Sequence, residues 1–424
     1  MQAPSSPAAT RPDRAPRSRR PALWHNRDYM LLWSGQVVSS IGTQASTLAF
    51  PLLVLAVTQS PAQAGFASAL RAVPYLIFSL PAGALVDRWD RKRVMLLCDT
   101  GRAIALGSVP VALALGWLTV AQLYLVSLVE GSLFVFFNIS EVACLPRVVP
   151  AEQLPAATAQ NTATDNISWL VGPPLGGALF GVARALPFLA DALSYIVSVV
   201  SLLFIRTRFQ GEHGLTRRRL HVEIGEGLAW LWRQPLIRYI AFLTGTSNLV
   251  GNGTFLIAIV IAQGQHASSL VIGAIFTIAS VGGIIGSIVA VRFQRQFSFA
   301  QVIIACVWAW AALTPLLTIA PNPYVLGLVL AGIFLAGPIY DVVQFSYRLA
   351  LIPDALQGRV NSVFRLIAFG GQPIGYALAG VLLQTVGPVA SVLVFSVPYL
   401  AAALLTSVNP HVRNARALSD VQTG

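Results

Sequence analysis

Arg71, Asp99, Arg102, Glu130, Asp165 and Asp341 are charged side chains set inside long apolar stretches. Charge within hydrocarbon is costly, so such a residue by default marks a transport pathway, a proton site or an ion pair. A carboxylate there can take up and release a proton, and a neighbouring guanidinium can hold it ionised. Arg71 and Glu130 each lie about nine residues in from the same side of the membrane, which lets them pair across two helices. Asp99 and Arg102, three positions apart, can meet on one helix. Asp165 lies about ten residues into its stretch, close to a bilayer midplane at roughly 1.5 Å per residue. Asn161, Ser168, Gly172 and Gly176 share its helical face, and no cation on the same helix can neutralise it. Asp165 is therefore the first candidate for proton coupling, with a structural hydrogen bond to a neighbouring helix as the alternative. Glu130 is the second, less free to titrate because Arg71 can hold it. Asp341 is the acid inside an apolar stretch of the second half, where helix-end capping or pairing with Arg348 is its simpler role.

These residues do not make an enzyme. The five His are scattered, no Gly-rich phosphate loop leads to a Lys, and no pattern for ATP hydrolysis exists. Energy for any movement of cargo must come from an ion gradient or from the cargo's own gradient. Cys98, Cys144 and Cys306 fall inside apolar stretches with no CxxC pair or nearby His cluster, so they read as small buried residues. No catalytic residue, metal or cofactor is expected.

The elements that must position the charges are membrane helices. Of 424 residues, 55% are hydrophobic and 10% charged, with mean hydropathy +0.69, against about 25% charged in soluble domains. A net charge of +12 would suggest nucleic acid in a soluble chain. Here the arginines occupy short gaps between apolar stretches, so no nucleic-acid partner is expected and the charge is a topology signal. Twelve stretches can be drawn, at 29–57, 62–86, 94–118, 121–145, 156–181, 186–205, 238–263, 270–291, 300–319, 323–345, 358–384 and 388–408. Every second gap is basic; of the gaps between them, one holds Arg184 and the others no Lys or Arg. The expectation is an all-α integral membrane protein of the plasma membrane, crossing twelve times, with both termini cytoplasmic.

The longest polar interruption divides the chain into two six-helix halves. A disordered basic tail is expected at 1–28, helix bundles at 29–206 and 238–408, a linker at 207–237 and a second tail at 409–424. Within the linker, Arg217 to Arg219 precede an aromatic and aliphatic pattern from Val222 to Arg233 that fits an amphipathic helix on the inner membrane face. The halves look like copies. Val149 to Leu154 leads to the small-residue run Pro174 to Gly181, and Ile352 to Leu356 leads to Pro373 to Gly380. A weaker echo places Gly286 and Arg292 where the first half has a charged hairpin. Internal repeats of this size place one site near the midplane between two bundles.

That hairpin, Gly83-x-Leu85-x-Asp87-Arg88-x-x-Arg91-Lys92, resembles the signature loop of the major facilitator superfamily of secondary transporters, with Asp90 where the general pattern has Gly. Gly83 removes a side chain and so permits a close helix approach. The resemblance implies that Asp87, with Arg88 and Arg91, latches the two halves together on the cytoplasmic side when the protein faces outward. Gly172-Pro173-Pro174-Leu175-Gly176-Gly177 resembles the core of a motif of proton-driven exporters, a packing and pivot segment. Where the superfamily often has an Arg ahead of Gln-Gly, this chain has Ser127 ahead of Glu130-Gly131. Arg71 to Pro74, Phe188 to Tyr195 with Asp191 inside it, Glu226 to Arg233 and Gly358 to Asn361 are similar to the branch containing the enterobactin exporter and macrolide efflux proteins. The resemblance implies a monomer in the lipid bilayer that exports a small, partly apolar compound in exchange for protons, of drug, macrolide or siderophore-like type. An importer or uniporter of the same fold, and a non-transporting receptor or scaffold, are the alternatives.

Overall fold

The computed structural model describes residues 23–86, 88–209, 220–353 and 356–415. Asp87, Arg217 to Arg219 and the tails before Leu23 and after Ala415 lie outside the described residues. The first six long helices are α1 (Arg27–Thr58), α2 (Pro61–Val86), α3 (Arg91–Leu115), α4 (Val120–Val148), α5 (Leu154–Val182) and α6 (Leu186–Phe204). A shorter α7 (Leu220–Arg233) leads to α8 (Pro235–Gly264), α9 (Ser269–Gln296), α10 (Phe299–Leu313, extended by a 3-10 segment to Thr318), α11 (Pro323–Leu351), α12 (Gln357–Thr385) and α13 (Gly387–Val408). Ten of these are long and apolar enough to cross a membrane. Helices α2 and α5, of 26 and 29 residues, complete twelve by length.

Several helices run past the apolar stretches that announce them. α4, α9 and α11 end with Arg147, Arg295 and Arg348 in their last turns, where a cation is favoured by the partial negative charge of the unpaired carbonyls. At the start of the chain the folded part also reaches further than the sequence suggests. The Asn26 side chain accepts from the Tyr29 amide and opens α1, and Asp28 Oδ2 accepts from the Thr207 amide at 2.8 Å, tying the ends of α1 and α6. Residues 23–28 therefore belong to the bundle and not to the tail. The same holds beyond α13, where the short α14 (Pro410–Arg413) buries Val412.

Missing side chains dictate where helices meet. In α5, a Cβ at Gly172 or Gly176 would collide with Gln44 or Ala45 of α1, and one at Gly177 with the Ser269 carbonyl of α9. In α12, Gly371 and Gly375 face Gly245 and Leu249 of α8 in the same way, and Gly380 faces Pro61 and Gly65 of α2. Each helix thus uses two glycines against the first helix of its own half and a later one against the second helix of the other half. The repeat seen in the sequence is a repeat of contacts, and it relates two six-helix bundles. Two seams between the bundles follow, α5 on α9 and α2 on α12. Both are tightest toward the end of the molecule that carries the uncharged connections.

The hairpin after α2 has a different basis from the one its sequence suggests. A Cβ at Gly83 would meet nothing within 4 Å, so the close approach expected there is not made in this conformation. Asp90, at the position where the general pattern has Gly, caps α3 by accepting from the Arg93 amide at 3.0 Å. Arg91 Nη1 donates to the Ala143 carbonyl at 3.0 Å and to that of Phe209 at 3.4 Å, anchoring the hairpin to α4, while Arg88 is exposed.

Candidate functional site

The first bundle holds a buried cluster of charge. Glu130 on α4 is 2% exposed. It accepts from Arg71 Nε at 2.5 Å and Nη2 at 3.2 Å, and from Arg102 Nη2 at 2.8 Å. Gly131 makes this geometry possible, because a Cβ there would strike the Arg71 carbonyl; α2 and α4 touch where the pair forms. Arg71 Nη1 also donates to Thr47 at 2.7 Å. Arg102 approaches Asp99 (Nη1 to Oδ1, 3.7 Å) and lies over the Tyr195 ring, 4.1 Å from its centroid. Asp191 on α6 accepts from Ser46 Oγ at 2.5 Å and Ser194 Oγ at 3.2 Å, in space left open by Gly42. The cluster joins α1, α2, α3, α4 and α6. Because each guanidinium faces a carboxylate, the cost of burying the charges is offset locally, and removal of one member would strand the others.

Between the bundles, on the basic-end side of the seams, lies a cavity of about 690 Å³. Trp33, Phe134, Phe137 and Trp169 line it from the first bundle. Tyr75 and Phe369 meet edge to face at 5.5 Å across the α2 and α12 seam and line it there. Asp165 faces this space, exposed to it, and so does Glu141 on α4. From the opposite wall comes Arg365 of α12. Arg102 and Thr43 bring the edge of the buried cluster to the cavity surface. A second cavity of about 500 Å³ is walled mostly by the second bundle and contains Asp341 with Asn248, Asn252 and Tyr340.

The candidates drawn from sequence therefore separate into three places. Arg71, Glu130, Asp99 and Arg102 come together as one cluster, Asp165 stands apart in the main cavity, and Asp341 lines the second cavity. Asp341 makes no ion pair with Arg348 among the described residues. The two lie seven positions apart, roughly 10 Å of helical rise, and the Arg348 guanidinium turns to the Phe364 ring, 3.7 Å from its centroid. Gly172, Pro173, Gly176 and Gly177 sit in the α1 and α9 contacts described above. Glu141 and Arg365 escaped the sequence reading, although each carries the signal that marked Asp165, a charge inside an apolar stretch. Asp191 appeared there only as part of a family motif.

The sequence profile of the transmembrane secretion effector family matches residues 22–422. Multidrug efflux pump Tap of Mycolicibacterium fortuitum is 24% identical over 398 residues, covering 91% of this chain and 96% of that protein. Macrolide efflux protein A of Streptococcus pyogenes is 28% identical over 221 residues, 51% of this chain and 54% of that protein. Among solved structures, the nucleoside transporter NupG superposes with a TM-score of 0.72 at 15% identity, covering 92% of this chain and all of that one. A bacterial homologue of the lysosomal transporter Spinster, solved inward-facing and occupied, gives 0.71 at 14% identity over 90% of this chain and 95% of that chain. These likenesses are to transporters, not enzymes, and they agree with the twelve helices, the two bundles and the central cavity. The chain is a multi-pass membrane transporter for a small molecule and belongs to the major facilitator superfamily, within its transmembrane secretion effector family.

Proposed function

We propose that this protein exports a small, partly apolar compound in exchange for protons, as a monomer in the plasma membrane with its basic end and both termini in the cytoplasm. The observation that carries this reading is the cavity of about 690 Å³ on the basic-end side of two closed seams, aromatic-lined and holding two acids. That volume suits a drug-sized ligand, for which roughly 300–1,000 Å³ is usual. With the basic end cytoplasmic, the conformation is inward-facing and ready to load cargo. The bundles at 29–206 and 238–408 then rock about the cavity to release it outside. Asp87, Arg88 and Arg91 close the cytoplasmic side in the opposite state. Relatives named as multidrug and macrolide efflux proteins support the direction.

Asp165 is the proton carrier of choice. It faces the cavity without a hydrogen bond or ion pair among the described residues, whereas Glu130 is held by two guanidinium groups. A carboxylate that must load and unload a proton needs access and freedom from a fixed counter-charge. Asp165→Asn keeps shape and polarity but cannot exchange a proton. In proteoliposomes it should lose export driven by a pH gradient while still exchanging labelled cargo down its own gradient. Gradient-driven export with normal pH dependence in this variant would remove Asp165 from the coupling path and leave Glu141 and Asp341 as the accessible acids.

A further inference from the structure

The walls of the main cavity carry opposite charge. On the first-bundle side stand Glu141 and Asp165, with Arg102 at the surface but already paired to Glu130 and Asp99, and on the second-bundle side Arg365. None of the side chains of Glu141, Asp165 and Arg365 has a hydrogen bond or ion pair among the described residues; the Arg365 guanidinium lies near the rings of Tyr75 and Phe369, at 5.8 and 6.0 Å from their centroids, with Arg348 as a second cation nearby. Counting from the basic ends of α4, α5 and α12 at about 1.5 Å per residue, Glu141, Asp165 and Arg365 lie roughly 10, 16 and 12 Å deep. Arg365 thus falls between the two acids in depth, within about one helical turn of each, on the opposite wall. In the buried cluster of the first bundle each guanidinium is matched by a carboxylate. In the cavity the unlike charges are held apart with space between them. A bound molecule can supply what each wall lacks.

We infer that the cavity is built for a zwitterionic amphiphile, lying across the pore with its basic group toward Glu141 and Asp165, its acidic group toward Arg365 and an apolar or aromatic body between. The inference rests on the transport reading above and adds the charge type of the cargo. A purely cationic compound would leave Arg365 uncompensated and repelled at nearly the same depth, and a purely anionic one would face two carboxylates. A guanidinium presents a planar fork of donors matched to a carboxylate, so the acidic group of the cargo gains a two-point contact from Arg365. The two acids on the other wall let the proton carrier and the cargo's cation engage different carboxylates.

The test uses a matched pair of probes. Rhodamine B carries an iminium and a carboxylate, and its ethyl ester is the cation alone on the same ring system. Binding to the full-length protein can be followed by quenching of tryptophan fluorescence, since Trp33 and Trp169 line the cavity. Nanodiscs made of phosphatidylglycerol keep zwitterionic lipid out of competition. Rhodamine B should bind about tenfold more tightly than its ester, the size of one charge-assisted contact. Arg365→Gln should abolish that preference by weakening rhodamine B while the ester binds as tightly or more tightly, and Arg365→Lys should restore part of it. Equal binding of the two dyes, tighter binding of the ester, no quenching by either, or a preference untouched in Arg365→Gln would each overturn the inference. Dye movement in proteoliposomes separates this result from the export reading. A zwitterion preference in binding without movement of either dye would keep the inference and defeat export, whereas export of both dyes at equal rates would keep export and defeat the inference.

Discussion

Glu130 accepts hydrogen bonds from two arginines on two different helices, and its own burial leaves water no way to replace it. Glu130→Gln keeps the size but removes the charge that offsets Arg71 and Arg102. Loss of one partner from a buried ionic set costs about 3–5 kcal/mol, so the variant should show a clearly lowered unfolding temperature in detergent. Adding Arg71→Gln to it should recover part of the loss, because fewer charges are then stranded. A melting temperature unchanged in the single variant would mean that the cluster does not hold the bundle together. At this scale the sequence allowed the pairs and not their assembly. Spacing along single helices brings Asp99 to Arg102, and matched depth allows Arg71 to reach Glu130. That Arg102 also reaches Glu130, and that Asp191 closes the set through Ser46, depends on how five helices are arranged around one another.

Helices α5 and α12 show which parts of an element are legible before folding is known. Their glycines mark close helix contacts from sequence alone, since small residues let backbones approach in a membrane. Which neighbour each glycine serves follows only from the packing: Gly172 and Gly176 face α1 inside the bundle, whereas Gly177 faces α9 across the seam. Gly83 carries the same sequence signal yet touches nothing here, because its hairpin is held by Arg91 and the Asp90 cap instead. A substitution at a seam glycine should therefore act on the conformational equilibrium. Overpacking costs about 1–3 kcal/mol, and at Gly177 that cost falls on the state in which the α5 and α9 seam is closed. Gly177→Val should reduce transport by roughly five- to a hundredfold, with the unfolding temperature changed little. Gly225→Val on the exposed surface of α7, where a Cβ meets nothing, is the control and should transport normally. Equal transport by both variants would mean that the seam opens and closes without regard to side-chain volume at its contact.

The molecule as a whole is two copies of one bundle joined through α7, which docks on the second copy through the Glu226 and Arg359 ion pair. Its charge is sorted by end: the connections at one end hold arginines, and those at the other hold Arg184 as their one Lys or Arg. Lys and Arg in short loops favour the cytoplasmic side during insertion, and the proposed loading of cargo from the cytoplasm rests on that asymmetry. The exposed side chains offer a direct check. Trp89 is 47% exposed in the basic hairpin, whereas at the opposite end Trp117, just after α3, and Tyr324, in the first turn of α11, are 73% and 60% exposed. Cys98, Cys144 and Cys306 are all buried and can be replaced by Ala or Ser to give a cysteine-free background. In intact cells an impermeant maleimide should label Trp117→Cys and Tyr324→Cys at once. Trp89→Cys should react only after the membrane is permeabilised. The reverse pattern would turn the molecule over: the cavity would then load from outside in this conformation, and the same two bundles and the same acids would describe an importer.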